Sequence, residues 1–444
     1  MTFMSNKRKL LIIILLAVSF GTHFAFFGHP NQTVFDEVYF GKFASAYYTH
    51  EYYFDIHPPL GKLIIAGFGK LFNFQPEYSF AQIGQPFPDH KYLALRFLPT
   101  LAGALLALIV FYLALELGFS DWSAFGAGIL VALDNALLTQ SRLILLDPFL
   151  LLFGFSGLLC YFKYRNRDRK IWFLLGAGVL FGLAASIKWT GLAFLGLAGL
   201  LELIDWFRTR QWFLKWLLKM FLLLVVVPFV VYFSVFAIHF SLLYKPGDGD
   251  AFMSPNFHQE NLIQKFSELN LEMYNANKTL TAGHPYGSPW YTWPFMIRPI
   301  YYWLGTATPV QPLESKIYLL GNPFIWWAST VAVIYLILSL VLSAGKDFFK
   351  KNRTALILLG GWAFNYLPFI GIGRVMFLYH YLSALVFAIL IFAYLMDQTQ
   401  KKARNWLIVI AIAAACFIFF APLTYGLPLS PQAFQHRIWL KGWQ

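Results

Sequence analysis

The sequence predicts an all-α polytopic membrane protein. Three observations carry that prediction. The 444 residues are 59% hydrophobic and 20% aromatic but only 12% charged, whereas a soluble domain carries about 25% charged residues. Mean hydropathy is +0.58. Lys and Arg gather in short clusters between long apolar runs, the pattern of cytoplasmic loops. A chain this poor in charge cannot cover a water-facing surface, so lipid is its solvent. The net charge of +13 follows from those loops and requires no nucleic-acid partner.

Apolar runs of bilayer length centre near Ala17, Leu105, Leu130, Phe153, Val179, Gly196, Val230, Ile334, Leu358, Phe387 and Ile412. At ~20 residues per span this gives about 11 transmembrane helices. The first run follows Lys7, Arg8 and Lys9. No small-x-small cleavage site closes it, so it is expected to stay as a span.

Placing Lys7 to Lys9 inside and alternating tests the orientation. Inside then fall Lys163, Arg165, Arg167, Arg169 and Lys170; Arg208, Arg210, Lys215 and Lys219; Lys346, Lys350, Lys351 and Arg353; and Lys401, Lys402 and Arg404. This agrees with the positive-inside rule. Two long segments, 28–91 and 242–321, then lie outside. Both are rich in Tyr, Trp, Pro and His, too aromatic for disordered linkers.

The first outer segment reads as two amphipathic helices, through Val38, Phe43, Ala46 and Tyr47 and through Leu60, Leu63, Ile64 and Leu71. Pro58-Pro59 must separate them. Three regions follow: an N-terminal membrane region over 1–240 that holds the catalytic residues, the second outer segment over 241–321, and a C-terminal four-helix membrane region over 322–444. Cys160 and Cys416 fall inside apolar runs, with no disulfide framework and no metal spacing.

Asp36-Glu37 stands just past the first span, on the outer side. Few acids lie on that side, and these two are adjacent. An acid there can take a proton from an acceptor hydroxyl. Helix neighbours diverge by ~100°, so the two are expected to have different roles. Basic residues on the outer side run against the charge rule. Arg96, Arg142, Lys188 and Arg374 form such a set, with His380 just beyond Arg374. Each alone can snorkel to lipid headgroups. As a set they suit an anionic headgroup such as a phosphate.

Asp147, near a span start, needs a partner, and Arg142 or Lys188 could supply it. His57, His239, His284 and His380 show no metal-ligand spacing. Asn31-Gln32-Thr33 and Asn277-Lys278-Thr279 match a glycosylation sequon. Trp290, Trp293, Trp326 and Trp327 read as an interfacial belt.

These residues resemble the protein O-mannosyltransferase family along nearly the whole chain. The resemblance rests on Asp36 to Phe43, His57 to Lys62, Asp134-Asn135 through Asp147, Ser186 to Gly191, His284 to Ser288 with Trp290, Trp293 and Pro294, and Phe377 to Tyr381. It implies the GT-C glycosyltransferase fold and transfer of mannose from a polyprenyl phosphate mannose lipid to Ser or Thr of secreted or translocating proteins. Inversion at the anomeric centre is implied, with the secretion machinery as a candidate partner. Eukaryotic members carry a β-trefoil insertion in the second outer loop. The short loop here resembles the bacterial type, and implies a bacterial polyprenyl carrier in the cell membrane with the site on its extracytoplasmic face.

By the same resemblance Asp36 is the general base, and Glu37 orients or binds the acceptor. Arg96, Arg142, Lys188, Arg374 and His380 hold the donor phosphate. His57, Asp147, His284 and Tyr379 serve substrate contact or architecture. No cofactor is implied, and the sequence does not decide metal dependence. Two rival readings stand beside this one: a polyprenyl-phosphate-sugar transferase acting on a lipid or glycan, and a lipid flippase or transporter.

Overall fold

The computed structural model describes residues 5–209, 212–279, 283–305, 313–343 and 348–444. Arg210 and Lys346, members of two basic clusters, lie outside the described residues. In chain order the N-terminal half comprises α1 Asn6–Phe24, α2 Glu37–Thr49, α3 Leu60–Leu71, α4 Tyr92–Glu116, α5 Asp121–Ala132, α6 Asn135–Ser141, α7 Asp147–Asn166, α8 Ile171–Ile187 and α9 Leu192–Thr209. It continues with α10 Phe213–Phe221, α11 Val227–Leu242 and α12 Leu262–Thr279. The C-terminal part holds α13 Pro323–Leu342, α14 Phe348–Lys351, α15 Arg353–Tyr366, α16 Leu382–Asp397, α17 Lys402–Tyr425 and α18 Pro431–Gln435.

Every expected span centre falls in a helix. By length and composition, 7 helices among the described residues can cross a membrane, or 8 with the bent pair α5–α6. The number is below the expected one for a physical reason. α1 begins on Lys7, Arg8 and Lys9, α7 carries Asp147, Lys163 and Arg165 toward its ends, and α8 is a shorter apolar helix of 17 residues.

The break between α5 and α6 bends the chain by 58°. Asp134 makes it, because its carboxylate caps α6 by accepting from Ala136 N (3.1 Å) and Leu137 N (2.9 Å). Its second oxygen accepts from Asn322 N (3.0 Å) and Trp326 Nε1 (2.8 Å). One buried acid thus pins the start of α13 to the bend. Trp326 and Trp293 are both fully buried; they are core posts, not members of an interfacial belt. Trp293 Nε1 donates to Ser288 Oγ (3.0 Å), and its ring stacks on His380. α8 packs closely on the stretch that leads into α11 at Gly178 and on α11 itself at Gly182. A Cβ at Gly178 would stand 2.1 Å from Leu223 O, and one at Gly182 would stand 2.9 Å from Pro228 O, so small residues are needed at this crossing.

Polar side chains sort the helix ends into two faces. At one face Arg8 pairs with Asp121, Arg167 with Glu116, and Arg165 and Arg169 with Asp205. Asp397 accepts from Ser120 Oγ and from Lys402 there as well. These contacts join the starts of α1, α5 and α17 to the ends of α4, α7, α9 and α16. The opposite face carries α2, α3, α12 and the loops around Asp36.

The outer segments are not wholly helical. β1 Ile300–Leu304 pairs antiparallel with β2 Glu314–Leu319, and β3 Pro428–Leu429 joins the other edge of β2. A bulge lies between Tyr301 and Trp303. The run Ile300 to Leu304 is aromatic and β-branched, a composition that favours a strand; in a chain this aromatic it is easily taken for interfacial residues.

The two faces make a topology test. In a background with Cys160 and Cys416 changed to Ala, Asp89→Cys and Gln444→Cys should react with a membrane-impermeant maleimide from one side. Arg167→Cys should react only from the other. Labelling of all three from one side would reject the arrangement.

Candidate active site

The site begins where the chain leaves α1. Asp36 precedes α2 with helical backbone angles (φ −67°, ψ 0°), and its side chain caps no helix N–H. Phe35 before it has φ +46°, a left-handed backbone uncommon for a residue with a large side chain. Glu37 is fully buried. Its carboxylate accepts from Arg96 Nε (2.7 Å), Arg96 Nη2 (2.7 Å), Val34 N (2.8 Å) and Ile144 N (2.9 Å). Arg96 is equally buried. It also donates to Gly28 O (2.9 Å), Pro30 O (2.7 Å) and Gln32 O (2.8 Å).

A guanidinium has five N–H donors, and here all are engaged. Arg96 therefore has no donor left for a phosphate, contrary to the expectation from sequence. It holds the 28–32 turn and the start of α2. Arg142 is committed only in part, since its Nε is buried without a hydrogen-bond partner among the described residues. Its Nη2 donates to Ala25 O (3.0 Å) and Phe26 O (2.6 Å), and its guanidinium lies 4.5 Å from the Tyr425 ring centre. It closes the end of α1.

Asp36 differs from its neighbour. Among the described residues no hydrogen-bond donor meets its carboxylate. Burial pushes its pKa up from 3.8 to about 7, with the Lys188 charge lowering it and Asp147 and Asp55 raising it.

The 50–62 stretch folds back on itself. Pro58-Pro59 breaks the chain before α3, and Lys62 reaches back to donate to the Asp55 carboxylate and to His57 O (2.7 Å). Lys62 is buried and also lies 5.7 Å from the ring centres of Phe43 and Tyr53. This clasp presents His57 to a cavity. Burial, aided by Lys188, Lys62 and Arg374, holds the His57 imidazole well below its ordinary pKa, so it stays neutral.

The cavity measures about 660 Å³ and is lined by His57, Asp147, Lys188, Arg374, Tyr379 and His380. Its apolar wall comes from Leu150, Leu192, Phe364 and Pro368. Lys188 Nζ donates to Asp147 Oδ1 (2.7 Å) and lies 5.1 Å from the Tyr379 ring centre. The partner of Asp147 is thus Lys188 and not Arg142. Arg374 is partly buried with no hydrogen bond or ion pair among the described residues, so its charge is free to meet an anion. Asp36 stands just beyond this wall, within electrostatic reach of Lys188 and Asp147.

The structure therefore brings together Asp36, His57, Asp147, Lys188, Arg374, Tyr379 and His380. It leaves out Glu37, Arg96 and Arg142, which build the support beneath. His284 is exposed, accepts from Tyr286 N (3.2 Å) and packs edge-on against Phe377.

Lys278, at the end of α12, also lines the cavity. In sequence it is hidden inside a sequon match. Asn277 beside it donates to Ile56 O (3.2 Å) and Met273 O (2.8 Å), so the amide is engaged inward. Sequence reasoning also misses Gln140 and Tyr302: Gln140 lies within the Asp134 to Asp147 motif without being singled out, and no motif marks Tyr302. Among the described residues no group of three or more His, Cys, Asp or Glu side chains could hold a metal ion.

Comparison with known proteins adds a family. A family model described as dolichyl-phosphate-mannose-protein mannosyltransferase matches residues 13–244. A second, described as the C-terminal four TMM region of protein-O-mannosyltransferase, matches 262–443. Protein O-mannosyltransferase 1 of Drosophila melanogaster is 39% identical over 255 residues, covering 55% of this chain and 29% of that protein. Dolichyl-phosphate-mannose--protein mannosyltransferase 1 of Saccharomyces cerevisiae is 33% identical over 273 residues, covering 58% and 33%. The chain spans about a third of the length of the curated relatives it matches.

Among solved structures, the S. cerevisiae protein O-mannosyltransferase Pmt1-Pmt2 complex bound to the sugar donor superposes with a TM-score of 0.91 at 22% identity, covering 100% of this chain and 93% of that chain. ArnT from Cupriavidus metallidurans in the apo state gives 0.55 at 16%, covering 93% and 64%. These likenesses establish the fold as the GT-C architecture.

The two kinds of arginine should separate on stability. Arg96→Ala leaves Glu37 buried without its cation, a loss of about 3–5 kcal/mol. Arg374→Ala breaks no contact and should change stability by no more than about 0.5 kcal/mol. Thermal unfolding in detergent reads both. Equal melting temperatures for the two variants would refute the structural role given to Arg96.

Proposed function

The chain belongs to the dolichyl-phosphate-mannose-protein mannosyltransferase family, and from that premise we propose that it moves mannose from a polyprenyl phosphate mannose lipid to Ser or Thr hydroxyls of secreted proteins. The observation that carries this is Asp36: a carboxylate with no hydrogen-bond donor among the described residues, its pKa raised to about 7, beside a cavity that holds an unpaired arginine.

Each group has one task in that reaction. Asp36 takes the proton of the acceptor hydroxyl as its oxygen bonds to the anomeric carbon. The bond from that carbon to the phosphate oxygen breaks, and the phosphate keeps the electron pair. Attack on the face opposite the phosphate inverts the centre. Arg374 meets the charge that grows on the leaving phosphate, where a fixed cation favours the transition state. Lys188 is shared with Asp147, so it contributes orientation and a partial charge. The isoprenoid chain leaves along Leu192, Phe364 and Pro368 toward lipid.

The acceptor meets the site on the face opposite the basic helix ends. With those ends in the cytoplasm, the reaction runs on the extracytoplasmic face of the cell membrane, on proteins in transit. A bacterial polyprenyl phosphate fits the short second outer segment.

The deprotonated form of Asp36 is the active one. Activity should therefore rise with pH through about 7, and the acidic limb of kcat/KM reports this group. Asp36→Asn should cut turnover by roughly 10²–10⁴-fold and flatten that limb, while donor binding persists. Arg374→Ala should raise donor KM, as a lost charge-assisted hydrogen bond costs about 1.5–3 kcal/mol. The assay is transfer from polyprenyl phosphate mannose to a Ser/Thr peptide. Asp36→Asn with normal turnover at neutral pH would sink the mechanism. Transfer to a lipid or glycan but never to the peptide would sink the acceptor.

A further inference from the structure

Tyr302 lies on β1, far in sequence from the acid, yet it touches both halves of the site. Its ring stacks face to face on Phe35, with centres 3.9 Å apart and planes 8° from parallel. Phe35 is the left-handed residue directly before Asp36. The Tyr302 hydroxyl donates to Gln140 Oε1 (2.6 Å), Gln140 Nε2 donates to Asp147 Oδ2 (2.7 Å), and Lys188 Nζ donates to Asp147 Oδ1 (2.7 Å). All four side chains of this line are buried.

We propose that Tyr302 and Gln140 are the positioning pair of this site, the ring of Tyr302 fixing Asp36 and its hydroxyl, through Gln140, fixing Asp147 and Lys188. The chemistry of the amide makes the line directional. A Gln side chain offers an acceptor at one end and donors at the other. With the single Tyr302 O–H on Oε1, the Nε2 donors must face Asp147. Remove that O–H and the buried Oε1 is left without its donor, so the amide keeps its bond to Asp147 but loses the contact that holds it in place. Lys188 then loses the fixed geometry of its counter-ion.

Core packing alone does not require this order of donors and acceptors. A buried polar line is costly unless every member is satisfied, and here each links to the next. The charged groups around Asp36 are Lys188, Asp147 and Asp55. The line orders two of these three.

The inference rests on the donor reading of the previous subsection, so the test separates the two. Four variants are compared: Tyr302→Phe, Gln140→Leu, their double, and Tyr302→Leu. Donor KM, kcat and the acidic limb are measured for each, with thermal unfolding as a control for folding. Tyr302→Phe and Gln140→Leu should each raise donor KM by up to about tenfold, the scale of one lost hydrogen bond. The double variant should lose no more than either single one, because both break one line.

Tyr302→Phe keeps the stack and should leave the acidic limb in place. Tyr302→Leu removes the stack as well. It should lower kcat and move the limb to lower pH, as Asp36 gains water. Additive losses in the double variant, or a reduced kcat with donor KM unchanged throughout, would overturn the positioning role. A wild-type protein that transfers no mannose would sink the preceding reading instead. The same cycle then runs on the affinity for polyprenyl phosphate, with additivity again decisive against the pair.

Discussion

The buried pair of Arg96 and Glu37 is the contact on which the rest of the site depends. Both side chains are sealed from solvent, and the guanidinium also binds three carbonyls of the 28–32 turn. Two isolated charges would not survive such burial, since desolvation outweighs their attraction unless other hydrogen bonds complete them. Here they are completed. The pair adds little net stability, but it allows one geometry: the turn after α1, the start of α2 and the loop at Ile144 must meet in one register. Asp36 inherits its position from that register.

The charge arrangement of the cavity follows the same logic. In sequence, four outer cations look alike. In the fold, Arg96 is consumed by Glu37 and three carbonyls, Arg142 turns Nη2 to the carbonyls that end α1, and Lys188 is held by Asp147. Arg374 is left with its charge available, and Lys278 stands at the rim. The donor phosphodiester of the proposed reaction would carry a single negative charge, which an arginine without an ion pair and a shared lysine would match, with Lys278 nearby. A site with all four cations unpaired would bind an anion far more tightly and would hold the leaving phosphate as a trapped product.

Much of this is legible in the chain itself. The long spans follow from composition, and the grouping of basic helix ends at one face follows from the clusters at Lys163 to Lys170 and Lys401 to Arg404. The pair Asp36-Glu37 and the residues Lys188, Arg374 and His380 can be picked out because charge or imidazole at that end of a membrane protein needs a reason, whereas His57 and Tyr379 enter only through the family resemblance. What fails to show has a common cause. Apart from Glu37, the partners of Arg96 and Arg142 are main-chain oxygens, whose positions depend on a turn and on a helix end. Gln140 and Tyr302 are ordinary residue types that gain a task only when β1 is laid beside α6. Trp293 and Trp326 look interfacial because hydropathy does not register a buried acceptor for an indole N–H.

The adjacency of Asp36 and Glu37 explains how two like acids take opposite roles. At the start of a helix, neighbouring side chains point ~100° apart. Glu37 faces inward to Arg96 and receives four donors, and Asp36, within electrostatic reach of Lys188 and Asp147, receives none among the described residues. Its place just before α2 would favour the anion, but a helix terminus contributes only about 0.3–1 kcal/mol, and the side chain makes no cap bond. A rise from 3.8 to about 7 corresponds to roughly 4 kcal/mol. Burial together with Asp147 and Asp55 therefore outweighs both the helix and Lys188. A carboxylate capped by its own helix would be held as a stable anion, a poor base at neutral pH. Because Glu37 takes up the structural donors, Asp36 is left basic enough to accept a hydroxyl proton.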